Sequence, residues 1–564
     1  TFEKQKQGIN IMNKFNRRKF IGGAAAVAAS TTVPNKSEAA LWRRTTRSEE
    51  RAVVIGSGFG GGISALRLAQ AGVKVLVLEK GRWWPTGPNS TTFPSATVVS
   101  QKHFFYTAWP EYNGFRIGLW PYAGILETMA SPTHTIVSAC GVGGGSLVYQ
   151  GMSLQPDEKN FTDWFPAEID YQEMDEVYYP RVAEMLKLQT APDELVNSTT
   201  YKAARIFADR VKKAGYNVDK VPMPIDWQYA LDELNGLMRP SYTNGDCALG
   251  VRNGGKQSVD VTYIDQALAT GNVTVEALHH VREIERDADG SWLVYVDRTS
   301  LRGTVLEHKI IKTPTLIMAA GTANTNKLLL SAAAEGRIPD LPDELGQGYG
   351  TNGDQIYIWN KMPENPGPRQ GGPVVYYSQE WNDPNQLANT VIQASLPPLA
   401  PGREFSSALP SSMLPGVSGI AAESNDPTLP GTPATMLVGY GVSRGRGYFS
   451  YNPTRRRVEL NWPKGGDDEL AARIRERISA VAGPESQLIN TNDTINSTWH
   501  PLGGACIDRV CDLEGRVKGQ KGLYVLDGSL MPGTTAACNP SWTIAAIVER
   551  AMDRIVQNDV GTII

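Results

Sequence analysis

The sequence predicts an α/β fold, α+β when the whole chain is considered, whose folded part opens with a Rossmann-like βαβ unit. Three observations carry this expectation. Arg51-Ala52-Val53-Val54-Ile55 is a short, largely β-branched run of the kind that forms a strand buried on both faces. Gly56-Ser57-Gly58-Phe59-Gly60-Gly61 follows directly, and helical spacing of apolar positions runs from Ile63 to Gln70. A second apolar run, Val73 to Leu78, ends at Glu79.

Each part has a mechanical reason. Gly56 permits a tight turn, Gly58 lets the backbone approach a pyrophosphate, and Gly61 allows the helix to pack closely on the strand. The helix N-terminus turns its unpaired N–H groups toward the phosphates. Glu79, at the tip of the second strand, is placed to accept hydrogen bonds from a ribose. A bare Gly-x-Gly-x-x-Gly is weak. With a strand before it, a helix after it and an acid at the next strand tip, it predicts dinucleotide binding. The unit does not separate NAD from FAD.

Length and composition set the outer bounds. At 564 residues the chain exceeds what one hydrophobic core usually supports, so two domains or one elaborated core are expected. Apolar residues at 41% and charged residues at 20% are the balance of a soluble globular protein. A formal charge of −3 gives no attraction to nucleic acid and at most transient contact with a membrane surface. Cys140, Cys247, Cys506, Cys511 and Cys538 show no metal-ligand spacing, so no metal is expected. Most are expected as small buried apolar residues, with a Cys506–Cys511 bridge left open for an oxidising compartment.

Residues 1–40 are expected to be a tail and signal peptide and not part of the fold. Arg17 and Arg18 precede a small apolar run, Ile21 to Ala29, and Ser37-Glu38-Ala39-Ala40 reads as a cleavage region. The paired arginines suggest the twin-arginine route, hence a periplasmic or extracellular protein. Met12 looks like the natural start, and the apolar run is too short to span a bilayer.

Further motifs narrow the reading. Val142-Gly143-Gly144-Gly145-Ser146-Leu147-Val148, then Gly151-Met152, is a second glycine-rich stretch. Near the C-terminus stand Trp499-His500-Pro501-Leu502-Gly503-Gly504, Leu526-Asp527-Gly528-Ser529, Met531-Pro532-Gly533 and Asn539-Pro540. This ordered series resembles the glucose–methanol–choline (GMC) oxidoreductases, and within them the cholesterol oxidase branch, over nearly the whole chain from about 51 to 559. Gly254-Gly255-Lys256-Gln257-Ser258, Tyr349-Gly350-Thr351-Asn352-Gly353 and Glu459-Leu460-Asn461-Trp462 are similar to the same branch.

The resemblance implies a non-covalently held FAD. Phe59, Gly60 and Glu79 match the first flavin segment, and Gly143, Gly144, Gly145, Tyr149 and Met152 fall in the second. Val281 stands where a strand residue contacts the adenine side, and Gly528 where a glycine lies near the flavin ring. It also implies a cofactor domain in pieces (48–155, 245–355 and 465–560) and a substrate domain (156–244 and 356–464) on a large, mainly antiparallel sheet. The Pro-, Gly- and Ser-rich stretch 363–435 reads as long loops over the substrate cavity.

Alcohol oxidation by a flavin needs a group to take the hydroxyl proton and a group to hold the oxygen. Imidazole and a carboxamide suit these tasks, and His500 and Asn539 match the family's pair. His103, His134, His279, His280 and His308 have no such context. Gln393, in Val391-Ile392-Gln393-Ala394, is aligned with the glutamate that moves the steroid double bond, so isomerisation is doubtful. Tyr149-Gln150 and Ser541-Trp542 depart from the branch and are expected to alter the pocket beside the flavin. The implied function is oxidation of a hydrophobic secondary alcohol, a 3β-hydroxysterol first among them, with O2 as acceptor giving H2O2. The alternatives are a dehydrogenase on a non-sterol alcohol with another acceptor, a GMC-fold lyase, and a flavin-binding protein without catalysis.

Overall fold

Four apolar residues, Ala52–Ile55, are all fully buried, and they form the central strand of a five-stranded parallel sheet. In spatial order the strands are Leu523–Val525, Leu316–Met318, Ala52–Ile55, Val75–Glu79 and Val273–Ala277. The neighbours thus come from distant parts of the chain. The computed structural model describes residues 44–87, 92–94, 100–106, 111–112, 115–116, 120–251, 253–367, 370–372, 374–395, 434–493 and 496–564. The arginine pair and apolar run of the expected signal peptide lie outside the described residues, as do residues 396–433 of the expected loops over the substrate cavity. Residues 45–564 form one compact unit.

The first helix begins at Phe59, four residues before the apolar periodicity starts, and ends at Gln70. The difference lies in the glycines. Gly60, Gly61 and Gly62 occupy the first turn, where a Cβ would lie 1.5 Å from the Leu526 carbonyl oxygen, 2.0 Å from that of Gly56 and 2.6 Å from Val259, respectively. Bare backbone lets this turn press against strand ends and loops that no side chain would clear. The helix packs against Pro540–Asp559, the last helix of the described chain.

A second sheet has six antiparallel strands, in the order Gln487–Asn490, Gln355–Asn360, Thr435–Gly441, Asn389–Ala394, Tyr376–Glu380 and Asp219–Lys220. Its two faces alternate as strand geometry requires. Tyr357, Trp359, Val391 and Leu437 point to the helices Lys202–Lys213 and Asp468–Ala482, where Phe207, Val211, Ile474 and Ile478 complete a core. Ile356, Ile392, Met436, Val438 and Tyr440 point the other way, into a cavity. The helix Asp468–Ala482 and strand Gln487–Asn490 therefore belong with this sheet, although the resemblance assigned 465–560 to the cofactor side.

The five cysteines are free and buried, so the bridge between Cys506 and Cys511 is not formed. No helix of the described residues is long and apolar enough to cross a membrane.

Candidate active site

A cavity of about 670 Å³ runs from the parallel sheet to the antiparallel one. At its first end stand Gly56, Ser57, Gly58, Phe59 and Gly60. Gly56 has φ +101°, and a Cβ there would lie 2.1 Å from the Ala319 oxygen, so the turn admits glycine alone. Gly58 caps the helix without any side-chain bond to its first N–H groups, which leaves them for a ligand. Gly61 lies behind this surface and serves the helix–strand contact.

Glu79 is buried at the tip of its strand. Its Oε2 accepts from Ser57 Oγ and its Oε1 from Gly81 N–H, both at 2.8 Å. Burial pushes its pKa up, against these two hydrogen bonds. Glu79 thus ties the glycine loop to the strand end while facing the cavity.

The second glycine stretch lies opposite. Gly144 and Gly145 line the cavity, and a Cβ on Gly145 would meet nothing within 4 Å. Gly321, across the cavity, has the same open space in front of it. Glycines facing open space, beside an uncapped helix N-terminus, form a cradle that fits a flat, phosphate-bearing cofactor such as FAD. Gly143 is not in the lining. It shapes the loop from behind, with φ +109° and its N–H on the Ser57 oxygen at 3.2 Å. Tyr149, Met152, Val281 and Gly528 line the cavity, and the Tyr149 ring meets Phe59 edge-on at 5.8 Å. His279 and His280, which had no motif context, also line it beside Val281.

His500 stands at the other end, just after the short strand Ser497–Thr498, which pairs with Thr135–Ala139. Its Nδ1 is 2.6 Å from Oδ1 of Asp354, a buried carboxylate that the sequence reading missed. Asp354 Oδ2 accepts from Thr498 Oγ1 at 2.7 Å and Trp499 N–H at 3.0 Å. Asp354 follows two left-handed residues, Asn352 (φ +58°) and Gly353 (φ +62°), which turn the chain into the strand Gln355–Asn360. A carboxylate on Nδ1 fixes the tautomer with the proton there and leaves Nε2 as the basic nitrogen toward the cavity.

Asn539 occupies the N-cap of the helix Pro540–Asp559, with proline at the first helical position. Asparagine there normally binds the helix N–H groups, yet this one makes no such bond. Its Oδ1 instead accepts from Tyr440 OH at 2.6 Å, and the residue lines the cavity beside His500.

Two expected site residues fall elsewhere. Gln393 is 1% exposed and absent from the lining. Its register partner is Leu437 of the helix-facing set, and its amide donates to Thr435 Oγ1 at 3.3 Å. Alternation turns its neighbour Ile392 into the cavity instead. Trp542 packs edge-on to Tyr179 at 5.5 Å and donates Nε1–H to the Tyr179 oxygen, so it supports the helix and does not enlarge the flavin pocket. Ser541 does line the cavity.

Similarity to known proteins extends over most of the chain. Models of the GMC oxidoreductase family match residues 118–347 and 461–547, together more than half of the chain, and an FAD-binding-domain model matches 51–85. A cholesterol oxidase of Mycobacterium tuberculosis is 27% identical over 88% of this chain and 90% of its own. One from Acinetobacter baumannii is 23% identical over 89% and 94%. A long-chain-alcohol oxidase of Arabidopsis thaliana is 26% identical over 50% of this chain and 34% of its own. The crystal structure of pyridoxine 4-oxidase from Mesorbium loti superposes with a TM-score of 0.59 at 15% identity, covering 90% of this chain and 99% of that one. The chain belongs to the GMC oxidoreductases and is an FAD-dependent enzyme acting on the CH–OH group of an alcohol.

Proposed function

We propose that the enzyme oxidises a hydrophobic secondary alcohol to the ketone, with a 3β-hydroxysterol as first candidate, holds FAD without a covalent bond, and passes the electrons to O2 to give H2O2. The observation that carries this reading is the meeting of His500 and Asn539 at a cavity wall to which Ile356, Ile392, Met436 and Val438 give an apolar face. Such a wall binds an apolar body by excluding water and leaves one hydroxyl to be recognised by two polar groups.

In this reading His500 Nε2 accepts the hydroxyl proton, and the new imidazolium is held by Asp354. Asn539 directs an amide N–H at the same oxygen and keeps it in place as the C–O bond gains double-bond character. The bound FAD supplies the acceptor for the hydrogen and two electrons lost from the carbinol carbon. Glu79, Asp354 and Asp527 are the lining carboxylates among the described residues. Asp354 is engaged by His500, while Asp527 is held by Thr325, Ser529 and Gly321. None is free to carry a proton between ring carbons, which supports release of an unconjugated 5-en-3-one.

The test is an anaerobic screen of sterols, long-chain, sugar and aromatic alcohols, following bleaching of the bound flavin. Bleaching by a sterol or another large apolar alcohol is expected, then peroxide formation on admitting air. Dye reduction without peroxide points to a dehydrogenase. A flavin that stays oxidised with every alcohol removes the reading in favour of a lyase or a non-catalytic flavoprotein. The arginine pair Arg17-Arg18 also supports export by the twin-arginine route. Replacing both with Lys should hold the precursor in the cytoplasm, and unchanged secretion would refute this.

A further inference from the structure

Tyr440 touches both reactive side chains, and the family resemblance gave it no role. It sits on the strand Thr435–Gly441, with its side chain buried at the cavity wall. Its ring meets the imidazole of His500 edge-on at 5.7 Å with an interplanar angle of 77°. Its hydroxyl oxygen is 2.6 Å from Asn539 Oδ1. That separation belongs to an O–H···O pair, since N–H donors stand near 2.9–3.0 Å. Burial, with Cys538 and Asp354 adding to it, holds the phenol well above its usual pKa, so the proton is present to donate. With Oδ1 engaged, the planar amide must turn Nδ2 the other way, and Nδ2 has no protein partner among the described residues.

The surroundings fasten the same turn. Thr390, directly across the ladder from Tyr440, donates Oγ1–H to the Ala537 oxygen at 2.9 Å. Asn352 donates Nδ2–H to the Cys538 oxygen at 2.9 Å. Residues 537, 538 and 539 are thus each held by one side chain from outside the turn. Ala536 and Ala537 have φ +59° and +63°, a region that residues with a Cβ adopt at a cost and keep only where neighbours enforce it.

We infer that Tyr440 is a positioning residue for the alcohol-binding amide: its hydroxyl fixes Asn539 with the nitrogen toward the substrate oxygen. The inference rests on the proposed roles of His500 and Asn539. Losing the hydroxyl while keeping the ring leaves the wall intact and frees the amide to rotate.

The experiment compares holoenzymes carrying Tyr440→Phe, Asn539→Ala and both, by anaerobic stopped-flow with the alcohol that bleaches the wild type fastest. Tyr440→Phe should keep its FAD and visible spectrum and lose roughly tenfold in limiting bleaching rate, as one hydrogen bond would allow. The half-saturating alcohol concentration should move less than about twofold. Added to Asn539→Ala, the same change should cost less than about twofold, because the group it acts through is gone. A wild-type rate for Tyr440→Phe beside a slow Asn539→Ala, or equal losses in both backgrounds, overturns the Tyr440 inference alone. An Asn539→Ala enzyme as fast as wild type, or a wild type that no alcohol bleaches, overturns the site reading and this inference with it. Should Tyr440→Phe lose its flavin, Asn539→Asp asks the same question. It keeps an acceptor for Tyr440 and removes the donor to substrate, so it should fall to the Asn539→Ala rate, and wild-type turnover would overturn the inference.

Discussion

Asp354 and His500 are 146 residues apart in the chain, and Oδ1 of one lies 2.6 Å from Nδ1 of the other. The carboxylate is almost fully shielded, and both its oxygens are occupied by donors. An amide cannot replace it without conflict. If the carbonyl of Asp354→Asn takes the Nδ1 proton, its NH2 faces the Trp499 N–H. If it flips, it drives His500 into the tautomer with Nε2 protonated. Asp354→Asn should lower the limiting rate of anaerobic flavin bleaching on the order of a hundredfold with FAD retained. A variant with near wild-type bleaching would show that the pair is structural only.

Removing the two side chains proposed to act on the alcohol should have effects at least as large. His500→Ala and Asn539→Ala should each cost about a hundredfold or more in flavin reduction while the protein stays yellow. Loss of flavin from either would mean that the residue holds cofactor and not substrate.

The glycines that face space and those that face backbone separate cofactor binding from folding. Gly145→Leu meets no atom within 4 Å of its Cβ and should fold, yet fill the cavity and purify colourless. Gly60→Ala puts a methyl 1.5 Å from the Leu526 oxygen and should lower the melting temperature. Wild-type protein should release intact FAD on denaturation. Thermal melts and the absorbance of the released supernatant read all three.

What the sequence discloses depends on how local the signal is. The βαβ unit lies within a single short stretch, and the contexts of His500 and Asn539 are short motifs, so all are legible. Asp354 is not, because nothing in its neighbours says that a histidine will arrive beside it. Tyr440 lies in an apolar run that reads as core. Gln393 faces the helices and Ile392 the cavity, because in a strand one position exchanges the two faces, and a motif alone does not say which face it serves.

That exchange changes a prediction about products. Gln393→Glu should not create an isomerase, because the new carboxylate would be buried on the helix side of the sheet, beside Thr435. It should instead lower stability. Ile392→Glu, by contrast, places a carboxylate at the cavity wall. If a sterol is turned over, the wild type and Gln393→Glu should release unconjugated ketone. The ultraviolet absorbance of a conjugated enone, corrected for spontaneous conversion, distinguishes the outcomes.

Acid stability should carry the mark of a buried histidine. Burial lowers the His134 pKa from 6.5 to about 4. The unfolded chain therefore binds a proton that the folded one refuses between these values. The contribution is fully present above pH 6.5 and is lost as the pH falls toward 4, up to about 3 kcal/mol for a shift of that size. His134→Gln should flatten this limb of a stability-against-pH curve, and an unchanged slope would place the titration elsewhere. His280, lowered to about 4 chiefly by burial and then by Lys80 and Lys327, adds a second step in the same window.

The parallel sheet has a kinetic consequence. Its central strand is Ala52–Ile55, but the outer partner of Leu316–Met318 is Leu523–Val525, and Gly60 presses on Leu526 just beyond it. A ribosome must therefore release the chain past residue 526 before the glycine loop gains its far wall. Such long-range closure makes the late steps of folding slow, and it leaves the earlier strands without their neighbours meanwhile. Loading of the cofactor then waits on residues 523–526, and a nascent chain stalled before residue 523 should exchange its amide hydrogens throughout the loop even with FAD in excess.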